Sequence, residues 1–556
     1  MSRKYTIGID FGTLSGRAII VDAKTGDEFA DHEYVYPHAV LDECLPDGTP
    51  LGVDWALQHP GDWLEVYCNA IPAVLKESGV SPEDVIGIGI DFTACTFMPV
   101  KRDGTPLCFV PGFESNPNAW PKLWKHHAAQ DKANALNETA HSRHEDWIDH
   151  YGGKISSEWE VPKAWEVLSQ SPEAYAAADY FMEGADWIVW MLCGNPTRNT
   201  CTAGYKGIWS KRGGYPSPEF FASLDIRMKN YVTEKLDYPI AQLGSRVGGV
   251  TKEMAENTGL KEGTAVAAGN VDAHVAVPAV GIDGPGKMLA IMGTSTCHIF
   301  VSNEEKDVPG MCGVVEDGVY PRYFGYEAGQ SCVGDHFAWF EENCVPAEYI
   351  KRAKAEGLKP LAYLDKRAAA LKPGESGLVA LDWWNGNRSI LVDVDLTGMM
   401  IGMSLSTKPE EMYRALLEAT AYGTRKLIEQ FREHGVPINE FYASGGLSQK
   451  SPVTMQIYAD VIKMPVKIAG SKHGPALGSA IFASVAAGSA NGGYDGILTA
   501  AKAMGKLKDV VYEPIPENAA MYDKLYAEYV ILHDCFGRGT NDVMKRLKNI
   551  RKSFKK

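Results

Sequence analysis

Residues 5–13 have the sequence Tyr5-Thr6-Ile7-Gly8-Ile9-Asp10-Phe11-Gly12-Thr13, a short apolar run that ends in glycine and threonine. Such a run predicts a buried strand followed by a tight turn. Residues 16–22, Gly16-Arg17-Ala18-Ile19-Ile20-Val21-Asp22, predict a second strand soon after it. The first predicted unit is therefore a β-hairpin, and Gly12, Thr13 and Ser15 lie in its connecting loop.

The same pattern returns about half a chain later. Residues 287–292 form an apolar run that leads into Gly293-Thr294-Ser295-Thr296, and residues 297–302 predict the returning strand. A repeat at this separation predicts two domains that are built on one plan and face each other. Glycine lets backbone N–H groups approach a ligand closely, and threonine and serine add hydroxyl donors. Either loop alone is most often only a turn, but the matched pair favours a phosphate site that is held from both sides.

The length of the chain and the order of its predicted elements indicate a two-domain α/β protein. A single core stops growing at roughly 250–300 residues, and this chain has 556. Predicted strands at 85–91, 265–269 and 441–444 alternate with helical patterns such as 60–78 and 518–548. Strands that alternate with helices are typical of α/β folds with layered sheets.

The boundary between the two domains is predicted in a turn-rich stretch. Residues 281–286 are Gly281-Ile282-Asp283-Gly284-Pro285-Gly286, a composition that is typical of a connecting segment. We therefore expect an N-terminal domain over residues 1–282 and a C-terminal domain over residues 283–556. A cleft between two domains is a common place for small ligands.

Composition and charge argue against several classes of protein. The net charge is −15, and an acidic chain repels nucleic acid and anionic membranes. The basic run at 545–556 is interpreted as a solvated helix end or a frayed terminus. No apolar stretch reaches about 18 residues, which argues against a membrane span. The 11 cysteines form no C-x-x-C pair and no secretory signal is seen, so we expect reduced thiols in a cytoplasmic protein.

A candidate catalytic carboxylate follows the predicted strand at 265–269. Asp272 lies at the end of this strand and near the domain boundary, which permits two interpretations. Asp is a common helix N-cap. Phosphoryl transfer to an alcohol, however, needs a carboxylate that orients the hydroxyl and takes its proton. His274, which lies beside an apolar run, is interpreted as a packed structural residue.

Two further patterns are typical of nucleotide sites. Asp10 and Asp91 both end Gly-Ile-Asp-Phe strands, and neighbouring carboxylates at strand ends could hold Mg²⁺, directly or through waters. Aspartates that cap turns are an equally good interpretation. Residues 442–452 predict a strand, a Gly445-Gly446 loop and a helix start. Such a helix N-terminus can bind a phosphate or pack against a base, although a plain strand-to-helix turn has the same pattern.

In this order, the motifs resemble those of the FGGY carbohydrate kinases, a branch of the actin-like ATPase superfamily. The resemblance covers nearly the whole chain. It implies an α/β fold of two actin-like (ribonuclease H-like) ATPase domains with a central cleft, in which the N-terminal domain binds sugar and the C-terminal domain, with its C-terminal helix, binds ATP. It also implies ATP and Mg²⁺ as cofactors, and a homodimer is left open. The residues that it assigns to the nucleotide are Gly12, Thr13, Ser15, Gly293, Thr294, Ser295, Gly445, Gly446 and Gln449.

Four stretches resemble the branch of the family that phosphorylates L-ribulose. They are residues 91–96, 203–206, 326–331 and 380–388. The resemblance implies that L-ribulose is converted to L-ribulose 5-phosphate in L-arabinose breakdown, and that Asp272 is the catalytic base. By the same resemblance, the residues that contact the sugar are Ala94, Lys206, Asp272 and Glu327. A lysine donates hydrogen bonds and a glutamate accepts them, which suits a polyol.

Several alternatives stay open on the sequence. Without the family context, Lys206 and Glu327 are equally well interpreted as surface residues. Other kinases of the family act on D-ribulose, another ketopentose, a pentitol or glycerol. An actin-like ATPase switch that binds a protein partner would also have two phosphate hairpins. One position departs from the family pattern, since Ala164 stands between Lys163 and Trp165 where a larger residue is usual, and this puts the local packing in question.

Overall fold

The structure is a computed structural model that describes residues 3–554. Lys555 and Lys556, which end the basic run, lie outside the described residues. The strands are β1 (Tyr5–Phe11), β2 (Ser15–Asp22), β3 (Glu28–Val35), β4 (Val85–Phe92), β5 (Phe97–Val100), β6 (Tyr180–Glu183), β7 (Arg198–Asn199), β8 (Ile240–Ala241), β9 (Arg246–Gly249), β10 (Ala265–Ala267), β11 (Asn270–Val271), β12 (Lys287–Met292), β13 (Thr296–Ser302), β14 (Gly313–Glu316), β15 (Phe324–Gln330), β16 (Val379–Leu381), β17 (Met399–Ile401), β18 (Glu440–Ser444), β19 (Val466–Ala469) and β20 (Leu507–Tyr512). The α-helices are α1 (Pro60–Ser78), α2 (Gln130–Ser142), α3 (Glu160–Gln170), α4 (Pro172–Ala177), α5 (Gly184–Cys193), α6 (Thr200–Tyr205), α7 (Pro218–Leu224), α8 (Tyr231–Lys235), α9 (Lys252–Thr258), α10 (Asp272–Ala279), α11 (Gly334–Cys344), α12 (Ala347–Ala355), α13 (Pro360–Ala368), α14 (Pro409–Glu433), α15 (Gly446–Lys450), α16 (Pro452–Ile462), α17 (Gly474–Ala487), α18 (Ile497–Met504), α19 (Pro516–Gly537) and α20 (Val543–Ser553).

Two seven-stranded sheets with the same central plan form the framework. In the first, the strand order is β3-β2-β1-β4-β10-β9, and β11 also pairs with β4. In the second, the order is β14-β15-β13-β12-β18-β19-β20. Each sheet contains an antiparallel hairpin, β1–β2 or β12–β13, whose first strand runs parallel to a later strand, β4 or β18. The repeated hairpin that the sequence predicted is therefore the centre of each sheet.

Helix α17 belongs to the second half of the chain but packs on the first sheet. Glycines on β1 and β4 permit this contact. A Cβ atom on Gly8 would lie 1.8 Å from the carbonyl oxygen of Ala476, and one on Gly89 would lie 2.0 Å from that of Ser479. No side chain larger than hydrogen fits at such distances. The alternation of glycine with isoleucine in β4 therefore serves helix packing as well as strand formation.

Three clusters of buried apolar side chains stabilise the fold. One lies within the first half of the chain and one within the second. The third combines both halves, because it joins Val275 of α10 and Leu477 of α17 to Leu289 and Ile299 of the second sheet. The predicted boundary at 282/283 lies in the turn between α10 and β12, and the third cluster holds the two sheets against each other across it.

One predicted helix is interrupted in the structure. The sequence predicts a continuous helix over 518–548, whereas α19 ends at Gly537 and α20 begins at Val543. Gly539 has a φ of 81°, which is the left-handed conformation that ends helices and that glycine adopts at little cost. The N–H group of Asn541 then donates to the carbonyl of Cys535 at 2.9 Å.

None of the helices within residues 3–554 combines the length and the apolar character that a membrane span requires.

Candidate active site

The two glycine-containing turns have the same internal hydrogen bond. In the first hairpin the N–H of Gly12 donates to the carbonyl of Ser15 at 2.9 Å, and in the second the N–H of Gly293 donates to the carbonyl of Ser295 at 2.9 Å. The Ser15 hydroxyl itself donates to Glu33 Oε1 at 2.7 Å, so its proton is already used within the protein. The structure therefore supports backbone N–H groups, more than this hydroxyl, as the donors of the first turn.

Side chains hold Thr13 of the first turn in place. The Gln58 amide donates to the Thr13 carbonyl at 2.8 Å. The indole N–H of Trp124 donates to the Thr13 hydroxyl at 3.2 Å. Neither contact was found from the sequence, because both partners lie in loops far along the chain.

The second turn lies against the start of α11. The N–H of Gly334 donates to the carbonyl of Gly293 at 3.0 Å, and the N–H of Val333 donates to the carbonyl of Thr294 at 2.9 Å. A Cβ atom on Gly334 would lie 2.6 Å from that Gly293 oxygen, so glycine is needed for the approach. With these carbonyls bonded inwards, the turn can present N–H groups to an anion.

The predicted adenosine loop is adjacent to the second turn. Strands β12 and β18 are parallel neighbours with Ile291 opposite Ser444. Gly445 follows with a φ of 88°, and a Cβ atom there would lie 2.5 Å from the carbonyl oxygen of Met292. Gly446, the first residue of α15, has open space on its Cα. The Gln449 amide donates to the carbonyl of Ala469 at 2.8 Å, so this side chain supports the loop in the structure.

Asp10 and Asp91 lie side by side near the carboxyl ends of the neighbouring strands β1 and β4. They are opposite each other on parallel strands β1 and β4, and Asn270 of β11 is opposite Asp91 on the other side. The Ser479 hydroxyl of α17 donates to Asp91 Oδ2 at 2.6 Å. Burial raises the pKa of Asp10 and of Asp91, and repulsion by Asp10 and Asp272 raises that of Asp91 further. The two carboxylates are therefore not fully neutralised by nearby positive charge, and a proton or a bound cation would stabilise them.

Asp272 is not a helix N-cap. Val271 occupies the cap position, and Asp272 is the first residue of α10. Its Oδ1 accepts a hydrogen bond from the N–H of Ala273 at 2.6 Å. Burial raises the pKa of Asp272 to about 7, with repulsion by Asp10 and Glu327 adding to the effect and Lys206 opposing it. A half-buried carboxylate with this pKa is well matched to general base catalysis near neutral pH.

Lys206 and Glu327 are buried, so the surface interpretation of both is wrong. Their side chains are 2% and 4% exposed, and Lys206 Nζ lies 3.7 Å from Glu327 Oε1. Arg388 Nη2 donates to the same oxygen at 2.8 Å. Burial opposes ionisation of Glu327, but Lys206 and Arg388 outweigh it and lower its pKa to about 2. Trp159 lies under the ammonium, with Nζ 4.3 Å from its ring centre.

The loop with Ala94 is held by a buried lysine. Ala94 follows β4 and is partly buried against the cluster that joins the two halves. The Lys163 ammonium donates to the carbonyls of Cys95 at 2.7 Å and Leu123 at 2.9 Å. Ala164, the position that the sequence analysis singled out as a departure from the family pattern, is fully buried. Local packing at this departure is therefore intact, and Lys163 has a structural role.

Sequence reasoning missed Arg388 and assigned no function to His274. Arg388 lies in a stretch that resembles a family motif, but only the fold shows that it binds Glu327. His274 is 1% exposed, and its Nε2 lies 3.5 Å from Glu327 Oε2. Its position two residues after Asp272 was the signal that could have found it.

A histidine pair outside these motifs also has metal-binding atoms. His38 Nδ1 lies 2.7 Å from Asp62 Oδ1, and His59 Nδ1 lies 3.7 Å from the same oxygen. The two rings are stacked with centroids 4.1 Å apart and planes 11° apart. Because the lone pair of an imidazole nitrogen lies in the ring plane, two stacked rings do not converge on one ion. We interpret this group as hydrogen bonded.

Comparison with known proteins identifies the family of the chain. Residues 5–279 match the N-terminal domain of the FGGY family of carbohydrate kinases, and residues 288–487 match its C-terminal domain. A protein named ribulokinase from Geobacillus thermodenitrificans is 59% identical over 550 residues, which are 99% of this chain and 97% of that protein. The ribulokinase of Staphylococcus aureus strain Newman is 36% identical over 98% of this chain and 99% of its own length.

Solved structures show the same fold at low identity. The xylulose kinase of Rhodospirillum rubrum superposes with a TM-score of 0.78 at 22% identity, over 95% of this chain and 98% of that one. The gluconate kinase of Lactobacillus acidophilus gives 0.78 at 17% identity, over 97% and 99%. The predicted fold class, a two-domain α/β fold with actin-like ATPase architecture, is confirmed.

Proposed function

We propose, since the chain belongs to the FGGY family of carbohydrate kinases, that it transfers the γ-phosphate of ATP to L-ribulose. The product is L-ribulose 5-phosphate, and the proposed role is in L-arabinose breakdown. The observation that carries this proposal is the burial of Asp272, whose pKa is raised to about 7 and responds to the charges of Glu327 and Lys206, a buried pair 3.7 Å apart. The name of the similar proteins, ribulokinase, supports ribulose as the acceptor.

We infer that the nucleotide binds along the second sheet. Its phosphates would lie between the turns at Gly12 and Gly293. The N–H groups of these two glycines donate within their own turns, so the N–H groups that follow them are the ones proposed to bind the negative charges. The adenosine would lie at Gly445 and Gly446. This loop contacts Met292, the residue before the second turn, so one nucleotide could extend from the loop to that turn. Gly12, Thr13, Ser15, Gly293, Thr294, Ser295, Gly445, Gly446 and Gln449 are the proposed nucleotide residues.

The carboxylates of Asp10 and Asp91, near the carboxyl ends of β1 and β4, suit the binding of a magnesium ion. Asp91 Oδ1 is buried and has no hydrogen-bond partner among the described residues, and the raised pKa values of Asp10 and Asp91 show a shortage of positive charge. Asp10 and Asp91 would hold Mg²⁺, directly or through waters. The ion supplies neutralisation of phosphate charge when bound.

In the proposed mechanism, Asp272 orients the terminal hydroxyl of the ketose and takes its proton as that oxygen attacks the γ-phosphorus. The bond from the γ-phosphorus to the β–γ bridging oxygen breaks, and ADP leaves. Lys206 donates to the sugar and Glu327 accepts from it, and Ala94 bounds the same space. The burial of Lys206 and Glu327 excludes water, which protects ATP from hydrolysis. Release of the proton from Asp272 at neutral pH restores the base.

We propose that residues 1–282 bind the sugar and that residues 283–556 bind ATP. The placement of Lys206 and Asp272 in the first half supports this division. Glu327 lies in the second half, so the proposed acceptor site spans the boundary. A homodimer and a cytoplasmic location stay predictions from the sequence.

A coupled assay of ADP release tests the function. The acceptors are the four 2-ketopentoses, ribitol, L-arabitol and glycerol, each with magnesium and ATP. We expect the highest kcat/KM with L-ribulose and little ADP release without acceptor. ADP release that is independent of every acceptor would instead identify an ATPase switch. Highest kcat/KM with glycerol or D-xylulose would overturn the assignment of the sugar.

A further inference from the structure

We propose that His274 contacts the acceptor sugar and, with Lys206 and Glu327, binds a single hydroxyl group of it. This inference rests on the proposed function and names the part of the acceptor that the site recognises. It replaces the sequence interpretation of His274 as a residue that serves packing alone.

The first observation is the burial of an imidazole without hydrogen bonds. His274 is the third residue of α10, and its ring packs on the ring of Tyr205 with centroids 4.1 Å apart. Neither ring nitrogen has a hydrogen-bond partner among the described residues. A buried polar group without a partner lowers stability, so a pure packing role would be better served by an apolar side chain.

The second observation is that the neighbours of His274 are also unpaired. Lys206 Nζ and Glu327 Oε2 are buried and lack hydrogen-bond partners within residues 3–554. Glu327 Oε2 lies 3.5 Å from His274 Nε2, and Glu327 Oε1 lies 3.7 Å from Lys206 Nζ. These separations exceed ordinary hydrogen bonds. Because both pairs share the Glu327 carboxylate, the inferred ligand atom is one oxygen beside it that completes the hydrogen bonding of all three groups.

The charge states decide which chemical group fits. Burial lowers the pKa of His274 to about 4, so the ring is neutral at neutral pH and offers one donor and one acceptor. Burial opposes the charge of Lys206, but Glu327 outweighs it and raises the lysine pKa. Glu327 stays ionised because its pKa is lowered to about 2. The set therefore provides two donors, on Lys206 and His274, and one acceptor.

An alcohol oxygen matches this set completely. It accepts one hydrogen bond from Lys206 and one from His274 Nε2–H, and it donates its own proton to Glu327 Oε2. A carbonyl oxygen cannot donate to Glu327, and a deoxy carbon can neither accept nor donate. Arg388 occupies Glu327 Oε1 at 2.8 Å and so leaves Oε2 for the ligand. The three groups would thus select a hydroxyl at one position of the acceptor.

The test uses two replacements of His274 and one matched control. His274→Phe keeps an aromatic ring against Tyr205 and removes both nitrogens, whereas His274→Gln keeps an amide donor. His533 is also 1% exposed and packs on Trp383 and Tyr529. His533 Nδ1 is hydrogen bonded to Asp534 Oδ1 at 2.9 Å, so His533→Phe measures the effect of losing a buried, hydrogen-bonded imidazole outside the proposed site. Melting temperature, kcat, and KM for ketose and for ATP are measured for each protein.

We expect His274→Phe to raise the KM for the ketose by roughly 10- to 100-fold, as for loss of one hydrogen bond in a buried site, with the KM for ATP nearly unchanged. His274→Gln should recover part of this loss, and His533→Phe should show none. A folded His274→Phe protein with the wild-type KM for ketose would overturn the inference.

Deoxy analogues of the ketose provide a second test. In the wild-type protein, one deoxy position should lower kcat/KM by about 10⁴-fold, because it leaves buried polar groups unpaired, and His274→Phe should reduce discrimination at that position alone. If neither variant folds, equal losses at every deoxy position in the wild type would overturn the inference. Absence of ketose turnover in the wild type would instead overturn the proposed function, so the two failures are distinguishable.

Discussion

Lys206 Nζ lies 3.7 Å from Glu327 Oε1, although one residue ends a helix of the first half and the other lies on a strand of the second. Both side chains are almost fully buried. The pair therefore forms only when the two halves of the chain are packed together, and the proposed acceptor site depends on that packing.

Replacement of Asp272 by Asn is expected to lower kcat by roughly 10²- to 10⁴-fold, because a positioned general base contributes about this factor. The affinity for ATP should be nearly unchanged, since the proposed nucleotide contacts are elsewhere. Steady-state kinetics and calorimetric titration with ATP check this, and Asp509→Asn on the exposed strand β20 is the control. Near-normal turnover of Asp272→Asn would show that another group takes the proton.

The activity of the wild-type protein should fall as the pH is lowered through about 7. Asp272 must be ionised to accept a proton, and its pKa is raised to about 7 by burial and by repulsion from Asp10 and Glu327. A profile of kcat/KM for the ketose against pH measures this limb. A limb near pH 4, the ordinary range of a carboxyl group, would contradict the raised pKa.

The ionisation of Asp272 that activity requires should lower the stability of the fold. The folded protein holds a proton on Asp272 up to about pH 7, whereas the unfolded chain releases it near the ordinary value of 3.8. Ionised Asp272 therefore destabilises the fold, and this cost develops as the pH rises from about 4 to 7. We expect Asp272→Asn to melt several degrees above the wild type at pH 8 and at the same temperature at pH 4. Equal melting temperatures at both pH values would count against this burial.

Loss of Glu327 should destabilise the fold more than loss of an exposed carboxylate. Glu327→Gln leaves the buried charge of Lys206 and the partly buried charge of Arg388 without their counter-ion, and breaking a buried pair typically costs roughly 3–5 kcal/mol. Glu33, which pairs with Arg17 at 2.9 Å and is 45% exposed, is the control, and Glu33→Gln should cost at most about 1 kcal/mol. Denaturant unfolding measures both. An equal loss of unfolding free energy in the two variants would show that Glu327 is exposed to solvent.

Gly8 should not tolerate a methyl group. A Cβ atom there would lie 1.8 Å from the carbonyl oxygen of Ala476, so α17 would have to move and would carry Ser479 away from Asp91. We expect Gly8→Ala to lower the melting temperature strongly and to reduce the yield of folded protein. Gly284→Ala is the control, because no atom lies within 4 Å of the added carbon. Wild-type stability of Gly8→Ala would contradict the close packing of α17.

Local signals in the sequence were sufficient for most elements. The helix at 60–78 was predicted with its observed bounds, because Pro60 and Gly79 mark its ends. The two hairpins were also predicted, since an apolar strand and a glycine turn are properties of a few adjacent residues. The break between α19 and α20 was missed, because the helical pattern continues through Gly537 and Gly539.

The sequence alone determined the order of strands, turns and helices, the repeat of one hairpin, and the family that the motifs resemble. These are local properties, set by periodicity and by the conformational freedom of glycine. Only the tertiary structure decided that Arg388 binds Glu327, that His274 faces the same carboxylate, and that the pKa of Asp272 rises. Burial and charge depend on the distances between side chains far apart in the chain, and those distances exist only after the two sheets pack through α10 and α17.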